Sequence, residues 1–135
     1  MASNKKKATR PQGHHTMYVC RSCVWSEAER EIDGERQGVF LVNAIEKRMD
    51  RGDVDGIAMR VVFCLGGCRN PCNVAFRYPG KTALRFNRLT PADAQALIDF
   101  GRLYVASGTG DVPPEARPEA LRDNLVVRVP PPPPR

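Results

Sequence analysis

The chain has 135 residues, 27% of them charged, with 21 Lys and Arg against 15 Asp and Glu for a formal net charge of +6. That length suits one domain of ordinary size with a single core. No apolar run approaches bilayer-spanning length, and the charged opening MASNKKKATRPQGHH lacks the hydrophobic stretch of a secretory signal, so a cytoplasmic protein without membrane association is expected.

Lys5, Lys6, Lys7 and Arg10 supply four of the positive charges before residue 17, with no acid among them, which leaves the rest of the chain at about +2. Residues 1–16 therefore read as a disordered basic tail, with His14 and His15 exposed in it. No aromatic or helical reading element accompanies the tail, so nucleic acid is not an expected partner.

The apolar run 17–20 (MYVC) reads as a first strand ending on Cys20. From Arg36 to about Arg51, Leu41, Ala44, Ile45 and Met49 recur at helical spacing and Gly52 is a natural stop, although Gly38 and Val39 weaken the start. Ile57, Met59, Val61 and Phe63 alternate as a second strand ending on Cys64. Val74, Phe76 and Tyr78 precede Pro79-Gly80, and Leu84 and Phe86 follow, which reads as an antiparallel hairpin around a type II turn. Thr90-Pro91 opens a last helix that runs to Gly108. The expected order is β-α-β-β-β-α over a small mixed sheet, in a domain spanning 17–110. Residues 111–135 hold eight of the twelve prolines and end in PPPPPR, which predicts an extended tail partly packed on the domain through Leu121, Leu125 and Val126.

Five cysteines carry the chemistry. Cys20 and Cys23 form a C-x-x-C; Cys64, Cys68 and Cys72 form a C-x-x-x-C-x-x-x-C. In a reducing compartment an odd number of clustered cysteines points to metal or redox chemistry rather than to a disulfide framework. Parallel strands joined by a right-handed crossover place their carboxyl ends side by side, so Cys20 and Cys64 become neighbours with Cys23 and Cys68 on the loops beyond. Gly66 and Gly67 allow close backbone approach and amide donation to sulfur. Four thiolates suit a [2Fe-2S] cluster, a structural zinc or a mononuclear iron centre, and the ligand type alone does not choose among them. Arg69, Arg77 and Lys81 are candidates to balance the charge of such a centre. A thioredoxin-type dithiol at Cys20 and Cys23 is a further alternative, although it leaves three cysteines without a role.

The stretches CLGGCRNPCNVAFRYPGKTALRF, LTPADAQALIDFGRLYVASGTGDVP, RPEALR and VVRVPP resemble domain-of-unknown-function family 1636, over roughly residues 17–131. The resemblance implies a metal-binding protein associated with cobalamin or cobalt metabolism, with a cysteine layout similar to that of thioredoxin-like [2Fe-2S] ferredoxins. Carried over, Cys20 matches the ligand after the first strand, and Cys64 and Cys68 match the C-x-x-x-C pair. Cys23 lies closer to Cys20 than that pattern has it, and Cys72 is extra.

The expectation is thus a thioredoxin-like α/β domain holding a [2Fe-2S] cluster through Cys20, Cys23, Cys64 and Cys68, with Cys72 as alternate ligand or supporting thiol. It would be a single-electron carrier rather than an enzyme, served by a reductase or acceptor docking over the Arg69 to Lys81 edge. Zinc or cobalt handling is the alternative cofactor reading, and a homodimer is left open.

Overall fold

The computed structural model describes residues 15–49, 56–66 and 68–133. The basic tail lies outside these residues except for its last two, and so do Gly52 and Gly67. Seven principal elements run in the order β1 (His15–Cys20), α1 (Gln37–Met49), β2 (Ile57–Val62), β3 (Val74–Arg77), β4 (Ala83–Phe86), α2 (Ala94–Ala106) and β5 (Leu125–Val129). The five strands form one mixed sheet in the order β2-β1-β3-β4-β5. β1 and β2 are parallel; β1 with β3, β3 with β4 and β4 with β5 are antiparallel. Among the described residues no helix is long and apolar enough to cross a membrane.

The two-residue period of the strands puts one side-chain row per pleat on a common face. Met17, Phe76 and Leu84 are successive cross-strand partners, as are Val19, Val74 and Phe86, and all six are buried. Against this face α1 places Leu41, Val42 and Ile45, and α2 places Leu97, Ile98, Phe100 and Tyr104. Phe100 packs edge-on against Phe76 and Phe86, with ring centroids 5.0 and 4.9 Å away. The hairpin turns through Pro79-Gly80, where Gly80 has φ +83° and Lys81 N–H donates to Tyr78 O at 3.0 Å. α2 is entered by a 3-10 turn, Pro91–Asp93, in which the Asp93 carboxylate accepts from Thr90 N–H at 2.9 Å.

Three features depart from the sequence reading. β1 begins at His15, and His15 is only 8% exposed rather than free in a tail. Its ring stacks on Tyr78 at 3.9 Å, Nδ1 lies 3.3 Å from Gly56 O, and Nε2 lies 2.8 Å from Lys81 Nζ. Lys81 also donates to Tyr104 O and Val105 O at 3.0 and 3.1 Å, so its cation caps the carbonyl end of α2. Second, β2 is an edge strand whose alternation does not mean burial: Ile57 is buried, but Val61 is exposed and Phe63 is 68% exposed. Third, the proline-rich end is not merely a tail. Two 3-10 turns, Pro114–Ala116 and Glu119–Leu121, lead to β5, which pairs with β4 from Ala83↔Val129 to Phe86↔Leu125. The prolines flank the LVVRV run and leave its ladder donors intact.

Tyr104 is fully buried and donates its hydroxyl to Thr82 O at 2.8 Å. Burial pushes its pKa from 10.0 up to about 12. A group that keeps its proton longer when folded contributes stability that is complete below about pH 10 and is lost as pH rises towards 12. Lys81, lowered by its own burial, acts in the opposite sense in any variant that retains it. Tyr104→Phe should cost about 1 kcal/mol at neutral pH and flatten the alkaline loss, read as urea midpoints between pH 8 and 11.

Candidate metal centre

The parallel register pairs Cys20 with Val62, so the carboxyl ends of β1 and β2 finish level. Arg21 N–H continues the pairing to Val62 O at 2.9 Å, and the Cys20 thiol reaches Phe63 O at 3.5 Å. The first cysteine is thereby fixed against the residue that precedes Cys64. Cys20 and Cys23 have their Sγ atoms 3.3 Å apart and are both buried; Cys64 and Cys68 have theirs 3.7 Å apart and are both exposed. A tetrahedral thiolate centre with metal–sulfur bonds of about 2.3 Å has sulfur–sulfur edges of about 3.8 Å. The outer pair matches one edge of such a tetrahedron, and the inner pair is closer than an edge. Among the described residues no three Cys, His, Asp or Glu side chains are gathered around one point. The chain presents its thiols two by two. A cavity of about 360 Å³ is lined by Cys23 of the inner pair and by Cys64 and Cys68, together with Arg30, Arg36, Arg69 and Glu27.

Donors surround the sulfurs. Gly66 N–H points at Cys64 Sγ at 3.2 Å, with Gly66 at φ +82°, where a side chain would be strained. Asn73 Nδ2 lies 3.6 Å from Cys23 Sγ. Cys72 is fully buried, and the peptide joining it to Pro71 is cis. The hydrogen bond from Cys23 and burial hold the Cys20 thiol well above the ordinary range. Cys23 is drawn down by Cys20 yet raised overall by Cys72 and burial, and Cys68 is raised by its bond to Cys64.

Two arginines that the spacing of the cysteines did not reveal hold the two loops by their backbones. Arg36 Nη1 donates to Ser22 O at 2.8 Å, and Arg85 Nη1 donates to Leu65 O at 2.6 Å. Arg85 Nε is buried with no hydrogen-bond partner among the described residues. A partnerless guanidinium donor beside the C-x-x-x-C loop suits an anionic thiolate centre there. Of the three cations named from sequence, Arg69 lines the cavity, but Arg77 and Lys81 do not approach it. Arg77 is paired with Thr16 and Lys81 with His15, both at the far end of β1. A hairpin reverses direction, so residues near the cysteines in sequence are carried away from them.

The sequence profile of a family described as a protein of unknown function, DUF1636, matches residues 17–131. The chain belongs to the DUF1636 family. A search among curated proteins returns no sequence match. Among solved structures, this DUF1636 protein is similar to a thioredoxin-like [2Fe-2S] ferredoxin from Aquifex aeolicus, with TM-score 0.52 and 12% identity over 85% of this chain and 92% of that one. The likeness establishes a thioredoxin-like fold for the DUF1636 chain.

The glycine that weakened the start of α1 has a steric reason. A Cβ on Gly38 would fall 2.5 Å from Cys20 O and 2.6 Å from Arg21 C, and Gly38 N–H donates to Cys23 O at 3.0 Å. Helix and C-x-x-C segment meet backbone to backbone. Gly38→Ala should therefore destabilise the metal-free protein by about 1–3 kcal/mol, measured by urea unfolding, despite the better helix propensity of alanine. Burial also sets thiol reactivity: in the metal-free folded chain iodoacetamide should modify Cys64 and Cys68 well before Cys20, Cys23 and Cys72. Peptide mapping reads the order, which should vanish in urea.

Proposed function

We propose that the protein is a single-electron carrier holding one [2Fe-2S] cluster, with Cys20 and Cys23 on one iron and Cys64 and Cys68 on the other. The observation that carries this reading is the paired arrangement of the thiols: two Sγ–Sγ contacts of 3.3 and 3.7 Å, with Cys23 of the inner pair and both cysteines of the outer pair lining one cavity. A two-iron cluster takes its thiolates in pairs, whereas a single zinc or cobalt draws all four to one point. When bound, the cluster accepts and returns one electron.

The chain's own residues supply the setting. Gly66 N–H and Asn73 Nδ2 donate towards thiolate sulfur and so stabilise the reduced, more negative state. Arg30, Arg36 and Arg69, less the one negative charge of Glu27 in the same lining, offset the charge of about −2 that four thiolates, two sulfides and two ferric ions carry. The exposed outer pair keeps one edge of the centre open to a redox partner. Cys72, enclosed behind Cys23, is a supporting thiol rather than a ligand in this reading. Thiol–disulfide exchange at Cys20 and Cys23 is disfavoured, since both thiols are buried away from an attacking disulfide and that chemistry leaves Cys64 and Cys68 without a role. The cobalamin or cobalt setting implied by the family resemblance would make the acceptor a corrin cobalt, with the cytoplasm as the compartment.

Anaerobically purified protein should be coloured and contain about two iron and two acid-labile sulfide per chain. Cys23→Ser or Cys64→Ser should abolish or strongly alter the visible spectrum, and Cys72→Ser should leave it intact. Colourless protein with one equivalent of zinc or cobalt would replace the cluster reading with the metal-handling one.

A further inference from the structure

On the outer side of Cys68 lies a second and larger cleft, about 730 Å³, within the range of small-molecule sites. Its lining joins the apolar residues Val24, Trp25 and Pro71 to the basic residues Arg69 and Arg88, with Glu27 as the acid among its described residues. Trp25 is fixed from behind: its Nε1–H donates to Glu35 O at 3.2 Å, and its ring packs edge-on to Phe40 at 5.1 Å.

Arg88 is fixed at a cost. Its φ is +56°, a left-handed conformation that an arginine adopts unfavourably and a glycine freely. Three contacts impose it: Arg88 N–H donates to Asn70 O at 3.0 Å, and Asn124 Nδ2 donates to Asn87 O at 2.9 Å and Arg88 O at 3.5 Å. Its Nε–H in turn donates to Asn70 Oδ1 at 3.4 Å, which sets the exposed side chain beside the cysteine loop. The core does not use that side chain, and the strained backbone carries it to the lining of the cleft.

We propose that this cleft binds a small anionic aromatic molecule, an aryl carboxylate or sulfonate, its ring against Trp25 and its acid group paired by Arg69 and Arg88. Cys68 lines this cleft and the cysteine cavity alike, so the ligand is seated next to the metal centre. The site stands on Trp25, Arg69 and Arg88 and holds whichever metal the cysteines bind.

Trp25 is the single tryptophan of the chain, so its emission reports on this cleft directly. Energy transfer from Trp25 to anilinonaphthalene sulfonate in the full-length protein should saturate at one equivalent, and the affinity should exceed that for the uncharged parent phenylnaphthylamine by about tenfold. Arg88→Gly should melt no lower than the parent protein, because glycine relieves the left-handed backbone, yet bind the sulfonate about tenfold more weakly. Arg69→Gln, on an exposed loop, should weaken it similarly and provides a second variant. Equal affinity for the two probes, transfer that does not saturate, or unchanged binding in both variants would overturn the proposal.

Discussion

The parallel pairing of β1 with β2 is the constraint on which the site depends. Only when the two strands run in the same direction do both carboxyl ends reach one edge of the sheet. The register of Cys20 with Val62 then decides how far apart the cysteine groups fall. A shift of one residue would turn the Cys20 side chain to the other face and take its thiol away from Phe63. The crossover through α1 and the hydrophobic row that pins β1 against β3 therefore govern the chemistry at a distance. Buried Met17 and Val19 fix the register, and the cysteine at the end of the strand inherits it.

Around that edge the polypeptide approaches itself closely. Gly38 lets the first turn of α1 press on the Cys20 carbonyl, and Gly66 lets the second loop fold an amide towards sulfur. Arg36 and Arg85 tie each loop to a neighbouring element through a main-chain carbonyl. The two loops are thus held by contacts that do not involve the thiols. The two cysteine pairs are held in place in this way, the inner pair buried and the outer pair exposed.

Much of this was legible in the residues themselves. The MYVC run, the alternation from Ile57 and the Pro79-Gly80 turn each carry a local periodicity or turn chemistry that needs no tertiary information, and the elements they predict are present. What could not be read depends on contacts between distant segments. His15 looked like part of a polar tail because its burial is made by Tyr78, Lys81 and Tyr104, more than sixty residues on. Phe63 looked like core because alternation reports periodicity but not whether a strand lies at an edge. Leu125 to Val129 were obscured by the surrounding prolines. The reach of Arg85 to Leu65 follows only from how the sheet meets the cysteine loop. The five cysteines were legible as a group, but their division into an enclosed pair, an open pair and a hidden fifth was not.

That division bears on how the protein is assembled. In the proposed reading an incoming metal ion would meet the exposed Cys64 and Cys68 before the buried Cys20 and Cys23, so loading would run from outside inwards. A half-filled intermediate would then rest on the two sulfurs most open to air, the pair that oxygen also reaches first.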